Sequence, residues 1–219
     1  MIPNFDKQTL RVQNKYVIIE LLYERHDNQS EFLNQNRYDK IVTLNEIDNW
    51  TNALTLKITF PDNAQKTILI TGIEGGFYLH TATEKERSYT VKLIDNTIVF
   101  CLGHTFFSFD INLLEIKWEI RPDIAGIFEF YDLEDDFLVR GELAIHRIDT
   151  NGHVKWSYMG RDIWVTMDGK PEVVIENDKI LLTDFDHNEY VINFNGETLK
   201  DKPRGSQPIK PTNKWWKFW

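Results

Sequence analysis

Oxygen-bearing side chains form the stretch of this sequence that comes nearest to a chemical site. TDFDHNEY places Asp184, Asp186, Asn188 and Glu189 close together, and alternating oxygen ligands of this kind can bind Ca²⁺. The stretch lacks the glycine at position six and the glutamate at position twelve of the standard calcium loop. Because it lies between two strand-like segments, the pattern favours a hairpin turn over a calcium site.

The histidines offer no alternative metal site. None of the six has metal-type spacing to another histidine or to the single cysteine, and HExxH, CxxC and Gly-rich phosphate-loop motifs do not occur. His146 falls at an alternating position inside a strand-like segment, which indicates a structural residue. We therefore predict no metal, no cofactor and no catalytic residue.

An enzymatic hypothesis remains open beside this one. Glu142, Asp162 and Asp184 could supply acid–base chemistry to a hydrolase or lyase acting on a sugar-like or other small molecule. Trp118 and Trp156 could stack on such a ligand if they were exposed. No spacing links the three carboxylates, so the sequence makes the enzymatic reading the alternative.

Two similar sequence segments contain Trp118 and Trp156 and indicate the elements that carry them. FFSFDINLLEIKW at 106–118 is repeated as IHRIDTNGHVKW at 145–156, with Asp110 and Asp149 39 positions apart and Trp118 and Trp156 38 apart. The difference of one position is what two turns of unequal length between paired strands would produce, with Asn151-Gly152 forming the tighter one.

A weaker third copy follows at 179–199, where Asn195-Gly196 matches the earlier Asn-Gly turn and Lys200 replaces the tryptophan. Each copy reads as strand, short turn, strand ending in Asp or Asn, turn and strand. A period of about 40 residues with this pattern is typical of blade-type sheets. We expect the recurring tryptophans to pack between sheets, with each indole N–H bonded to a backbone acceptor.

The repeated unit resembles the quinoprotein-type (PQQ-like) β-propeller repeat over about residues 97–200. Phe107, Phe109, Asp110 and Trp118 carry the resemblance in one copy, and His146, Ile148, Asp149 and Trp156 carry it in the next. The usual Thr-Gly turn is missing, and a standard propeller has about four to eight blades. The resemblance implies a mainly β fold of antiparallel, propeller-blade-type sheet units, forming an incomplete or atypical propeller or stacked sheets.

The remaining segments complete the predicted organisation. We expect one β-rich domain over 1–200, with a short mixed α/β part at 1–50, an irregular sheet unit at 51–96 and repeat units at 97–200. YVIIELLYE at 16–24 fits either a strand or a short helix, and Thr43–Glu46 resembles a capping box for a helix through Trp50. Residues 201–219 are predicted to form an extended tail.

Composition narrows the function classes. The net charge of −9 opposes nucleic-acid binding. It would speed encounter with a basic protein, although solubility alone also accounts for such a charge. The single Cys101 and the absence of a signal-like start indicate a cytoplasmic protein. No apolar run is long enough to be a transmembrane segment.

The aromatic terminus WWKFW suggests a binding role. Trp215, Trp216, Phe218 and Trp219 follow a proline-rich stretch and carry apolar surface that is costly to leave in water. Docking onto the chain's own domain or onto a protein partner would cover them. We predict a non-enzymatic protein-interaction module whose specific form is an acidic immunity-type protein that neutralises a toxin, with these four residues binding the partner; the oligomeric state is left open.

Overall fold

The computed structural model describes residues 6–46, 50–83 and 87–203. The chain forms two compact units, Met1–Ser157 and Tyr158–Trp219. How many domains these units represent stays a prediction.

Sheet 1 is built from the N-terminal third of the chain. Its elements in chain order are β1 (Lys7–Gln13), β2 (Ile18–Arg25), α1 (Gln29–Gln35), β3 (Lys40–Thr43), β4 (Asn52–Thr59) and β5 (Gln65–Thr71). The spatial order of the strands is β1-β2-β4-β5-β3. The β3–β5 pair is parallel and the other pairs are antiparallel.

The N-terminal segment resolves the ambiguity of YVIIELLYE. Residues Ile19, Leu21 and Tyr23 alternate with more exposed neighbours and are buried, so the segment is a strand with one core-facing side. The expected capping-box helix is a single 3₁₀ turn over Leu44–Glu46, with φ of 55° at Asn45. Residues 47–49 of that prediction lie outside the described residues.

Three four-stranded antiparallel sheets follow. Sheet 2 contains β6 (Val91–Ile94), β7 (Thr97–Leu102), β8 (Thr105–Asp110) and β9 (Glu115–Ile120). Sheet 3 contains β10 (Ile127–Leu133), β11 (Asp136–Gly141), β12 (Ala144–Ile148) and β13 (Val154–Met159). Sheet 4 contains β14 (Val173–Ile175), β15 (Lys179–Thr183), β16 (Glu189–Asn193) and β17 (Thr198–Lys202). Their strands are adjacent in chain order, which confirms the predicted mainly β, blade-type fold.

The strands between 52 and 94 are grouped differently from the expectation. β4 and β5 belong to sheet 1, whereas β6 pairs with β7 and starts the first repeated sheet at Val91. GFYLHTA at 76–82 forms no strand; Leu79 instead bonds through its backbone N–H to the side-chain oxygen of Gln8. Alternation predicts a strand but does not select its partner, because pairing depends on contacts distant in sequence.

Apolar clusters join neighbouring sheets of the first unit. One joins sheets 1 and 2 through side chains such as Leu56 and Phe107. The other joins sheets 2 and 3, where the ring of Phe106 lies 5.2 Å from that of Phe130 and 5.6 Å from that of Phe137. The middle strands of sheet 2 are consequently buried on both faces. Those of sheet 3 are almost wholly buried as well.

The turn after the third strand of each repeated sheet confirms that the copies are equivalent. The side chain of Asp110 accepts hydrogen bonds from the backbone N–H groups of Asn112 and Leu113. Asp149 does the same for Asn151 and His153. In sheet 4 the pattern is maintained by the amide oxygen of one residue, Asn193, which accepts from Asn195 and Glu197. An Asp or Asn recurs here because either side chain can close such a turn.

The packing predicted for Trp118 is confirmed. Its ring is half-buried and lies 5.3 Å from the ring of Phe106. Its indole N–H donates to the backbone oxygen of Thr150 at 2.9 Å, and a Cβ added at Gly152 would approach the ring to 2.8 Å. The tryptophan of sheet 2 thus packs beneath the Asn-Gly turn of sheet 3. Trp156 is also half-buried.

Gly152→Ala is expected to lower the free energy of unfolding by about 2 kcal/mol, because alanine there combines an unfavourable backbone conformation with a clash against Trp118. Gly152 has φ of 85°. Gly169→Ala is the matched control, since Gly169 has φ of 74° but nothing within 4 Å of an added Cβ. The control should lose only about 1 kcal/mol. Equal losses in urea titrations of the two variants would contradict the proposed packing.

Candidate functional site

The first turn of every repeated sheet is acidic. Asp95-Asn96 joins β6 to β7, Glu134-Asp135 joins β10 to β11, and residues 176–178 (Glu-Asn-Asp) join β14 to β15. Asp95 and Glu134 have positive φ values of 47° and 56°, as tight hairpin turns require. Sheets 2, 3 and 4 therefore repeat an exposed negative charge at the same structural position.

A second set of carboxylates lies at the same end of sheets 2 and 3. Because neighbouring strands are antiparallel, the first and third turns of a sheet fall at one end. Asp110 and Asp149 open the third turns of sheets 2 and 3. We call Asp95, Asp110, Glu134, Asp135 and Asp149 the acidic end of the first unit.

Two cations, Arg147 and Lys155, offset part of the negative charge near this end. Asp136 is 5% exposed and receives hydrogen bonds from Arg147 at 2.5 Å and from Lys155 at 2.7 Å. Burial alone raises the pKa of Asp136, but the bonds and charges of Lys155 and Arg147 outweigh it and hold the pKa below its ordinary value. Arg147 also bonds Glu134 at 2.7 Å. Asp95 and Asp135 are exposed members of the acidic end.

The acidic end was partly visible in the sequence. Glu134-Asp135-Asp136 reads as a charged turn before a strand, but the equivalence of Asp95 and of residues 176–178 was missed. The signal that could have revealed it is an acidic residue within two positions before β7, β11 and β15. Recognising that offset requires the first strand of each repeated sheet, and the sequence alone placed β6 in the irregular sheet unit at 51–96.

Behind the opposite end of sheet 3, His146 lies between an acid and a hydroxyl. Its Nδ1 is 2.8 Å from the hydroxyl oxygen of Ser157, and its Nε2 is 3.8 Å from a carboxylate oxygen of Asp123. Both oxygens of Asp123 already accept backbone N–H bonds, from Ala125, Leu143 and Ala144. The carboxylate therefore ties two loops together, and 3.8 Å exceeds a hydrogen bond to the imidazole. The geometry agrees with the structural role predicted for His146.

His146 should make stability depend on pH. Burial lowers its pKa below 6.5, although Asp123 opposes the shift. At this position the unfolded chain consequently binds a proton more readily than the folded chain. The contribution of neutral His146 to stability is therefore fully present above about pH 6.5 and is lost as the pH drops below that value. His146→Gln should flatten the slope of unfolding free energy against pH between about 5 and 7, which reaches at most about 1.4 kcal/mol per unit.

The control for that experiment is His153→Gln, because the side chain of His153 is 78% exposed. Its slope should match that of the unmodified protein. A residual slope is expected in both variants, since burial also lowers the pKa of His26. Identical slopes for the His146 variant and the unmodified protein would contradict the assignment.

The carboxylates of the enzymatic alternative have separate local environments. Asp184 is fully buried, and its oxygens accept bonds from the side chains of Asn188 and Tyr190 at 2.8–3.0 Å. Asp162 accepts from the backbone N–H of Ile163, and Glu142 is half-buried in the turn between β11 and β12. Asp184 is therefore a structural acceptor, and replacing it would disturb the fold as well as any chemistry.

The hairpin predicted for TDFDHNEY is confirmed. It connects β15 to β16, with the backbone N–H of Asp184 bonded to the oxygen of Asn188 at 3.2 Å and that of His187 bonded to the oxygen of Asp184 at 2.9 Å. Asn188 points its amide at Asp184. Two of the oxygen-bearing groups proposed as cation ligands are thus joined to each other. In the part of the chain described by the structure, no group of three His, Cys, Asp or Glu side chains is placed to hold a metal.

The aromatic residues Trp215, Trp216, Phe218 and Trp219 lie outside the described residues. Cys101 is a free cysteine in the core, and burial raises the pKa of its thiol well above the ordinary value. Within residues 6–46, 50–83 and 87–203, no helix is long and apolar enough to cross a membrane.

Comparison with known proteins gives similarity in structure only. No family model matches the chain, and no curated protein matches its sequence. Solved structures that resemble it include BamB from Moraxella catarrhalis, a PQQ-like β-propeller protein, with a TM-score of 0.45 and 12% identity over 92% of this chain and 55% of that chain. The AfRom2 CNH domain has a TM-score of 0.44 and 8% identity over 90% and 54%.

A third similar structure is the computationally designed Ika8 protein, with a TM-score of 0.41 and 10% identity over 87% of this chain and 60% of that chain. The chain thus spans between half and three fifths of the length of these structures. Similarity at this level does not indicate what this chain binds.

Proposed function

We propose that this protein is a non-enzymatic, cytoplasmic protein-interaction module that binds a basic protein. Its specific form would be an immunity-type protein that neutralises a toxin. The observation that carries the proposal is the recurrence of exposed carboxylates in the first turn of each repeated sheet, within a chain of net charge −9. Such a surface accelerates encounter with a positively charged partner and discriminates against acidic ones.

The aromatic residues Trp215, Trp216, Phe218 and Trp219 would add the apolar contact that charge alone does not provide. Tryptophan is enriched among the residues that dominate binding energy at protein interfaces. Exposed carboxylates at an interface rim mainly raise the association rate, whereas buried aromatic anchors slow dissociation. The acidic end would accordingly raise the rate of association, and the aromatic terminus would slow dissociation.

Co-expression with a basic, toxin-like protein encoded beside this chain tests the proposal directly. Growth arrest by that protein should be relieved by this chain, and the two should elute together in gel filtration. Asp95→Asn combined with Asp135→Asn should weaken the affinity by about tenfold, because two exposed carboxylates leave the acidic end. The effect should shrink as salt is raised, since exposed charges are screened.

The matched control combines Asp27→Asn with Glu31→Gln. It removes the same charge from exposed carboxylates near α1, and it should retain nearly full affinity. Equal weakening by both pairs would mean that only the net charge matters, which contradicts a defined acidic site. Absence of both complex formation and growth rescue would reject the immunity-type function.

A further inference from the structure

Sheet 4 differs from the other two repeated sheets in how its middle strands are buried. In sheets 2 and 3 nearly every residue of the middle strands is buried, on both faces. In sheet 4 the buried residues of β15 and β16 alternate with half-buried or exposed ones. One face of sheet 4 is therefore packed, and the other, which we call the open face, is accessible.

The open face carries an aliphatic row. Val174 pairs with Leu181, Leu181 with Val191, and Val191 with Lys200, and directly paired residues lie on the same face of a sheet. Val174 is 39% exposed, and Leu181 and Val191 are half-buried. Aliphatic side chains in this position are characteristic of strands covered on both faces. The aliphatic row therefore has the composition of a buried sheet face, but it is not buried as the corresponding strands of sheets 2 and 3 are.

We propose that the aromatic terminus of the same chain, residues 215–219 (WWKFW), docks on the open face of sheet 4 when the protein is free. The tail begins directly after the edge strand of this sheet. β17 ends at Lys202, which pairs with Glu189 on β16, so the following residues start at one end of the open face. This inference goes beyond the proposed function and requires no partner.

The intervening chain is long enough for such docking. Twelve residues, 203–214, separate Lys202 from Trp215 and span at most about 40 Å at roughly 3.3 Å per residue. A four-stranded sheet is only about 14 Å wide, with neighbouring strands about 4.8 Å apart. The aromatic residues can therefore reach every position along the aliphatic row.

The residue types of the tail also favour its docking on the open face. Indole and phenyl rings would cover the row formed by Val174, Leu181 and Val191, and the ammonium group of Lys200 stands at its end, where it can contact the face of an indole. Residues 204–219 contain four basic residues and no acidic one, whereas residues 158–203 contain twice as many Asp and Glu as Lys and Arg. The tail and the rest of this unit therefore attract each other.

Paramagnetic broadening of amide signals tests the contact in the full chain. Thr212→Cys places a nitroxide label just before the aromatic residues, and the buried, high-pKa thiol of Cys101 should resist labelling. The expected result is broadening centred on Val174, Leu181 and Val191. Adding Val174→Glu should abolish it and should speed tryptic cleavage after Lys214 and Lys217 by about tenfold, because cleavage follows the population of undocked tail.

The control is Val154→Glu, a change at a similarly exposed valine on β13, which should leave broadening and cleavage unchanged. Broadening confined to the tail, or centred outside sheet 4, would overturn the inference. So would broadening that appears only between a labelled copy and an isotopically labelled second copy. Because no partner is present, the result is independent of the growth-rescue test of the proposed function.

Discussion

Asp123→Ala is expected to lower the free energy of unfolding by about 3–5 kcal/mol, the largest effect we predict for any single carboxylate. The side chain is 5% exposed and accepts three backbone N–H bonds, from Ala125, Leu143 and Ala144. Alanine would leave these buried donors without their acceptor. Gly141 adds a steric reason for the arrangement, since a Cβ there would lie 2.3 Å from the Asp123 carboxylate.

Urea unfolding followed by tryptophan fluorescence measures this effect. Asp123→Asn should recover part of the loss, because the amide retains one acceptor oxygen but not the charge. Asp135→Asn is the control, since Asp135 is exposed in the turn between β10 and β11, and it should change stability by no more than about 0.5 kcal/mol. A loss below about 1 kcal/mol for the alanine variant would show that the loops do not depend on this carboxylate.

Phe106→Ala should cost a similar amount, about 3–5 kcal/mol, for an entirely apolar reason. The side chain is fully buried between sheets 2 and 3 and contacts the rings of Trp118, Phe130 and Phe137. Truncation removes apolar burial and leaves a cavity whose aromatic walls cannot close without shifting strands.

Thermal or urea unfolding checks the second prediction, with near-ultraviolet circular dichroism reporting the aromatic cluster. Phe128→Ala is the control, because Phe128 is 37% exposed and its ring faces the guanidinium of Arg140. Its loss should be about 1 kcal/mol. If both phenylalanines cost the same, the cluster between sheets 2 and 3 is not tightly packed.

The repeated sequence segments correctly predicted the turns that follow the third strands of sheets 2 and 3. Asp110 and Asp149 close equivalent turns because their side chains satisfy nearby backbone N–H groups, and this chemistry depends only on local residues. The role of Trp118 also followed from recurrence. The start of the first repeated sheet at Val91 could not be predicted, because a strand of four residues has too few alternations to identify its partner.

The candidate site was predictable only in pieces. Glu134 and Asp135 stand out as a charged turn, whereas Asp95 looks like an isolated acid until β6 is paired with β7. Asp184 appeared suitable for cation binding or acid–base chemistry from its residue type. Its complete burial and its bonds to Asn188 and Tyr190 make it a structural residue, and burial of this kind depends on packing that no local pattern specifies.

By itself, the sequence determined the β-rich class, the recurring turns and the acidic character of the chain, because strand alternation, turn chemistry and charge are properties of neighbouring residues. Only the tertiary structure decided which strands share a sheet, which carboxylates are buried, and that sheet 4 keeps an accessible aliphatic face. These features arise from contacts between residues far apart in the chain, whose pairing is selected by the packing of whole sheets.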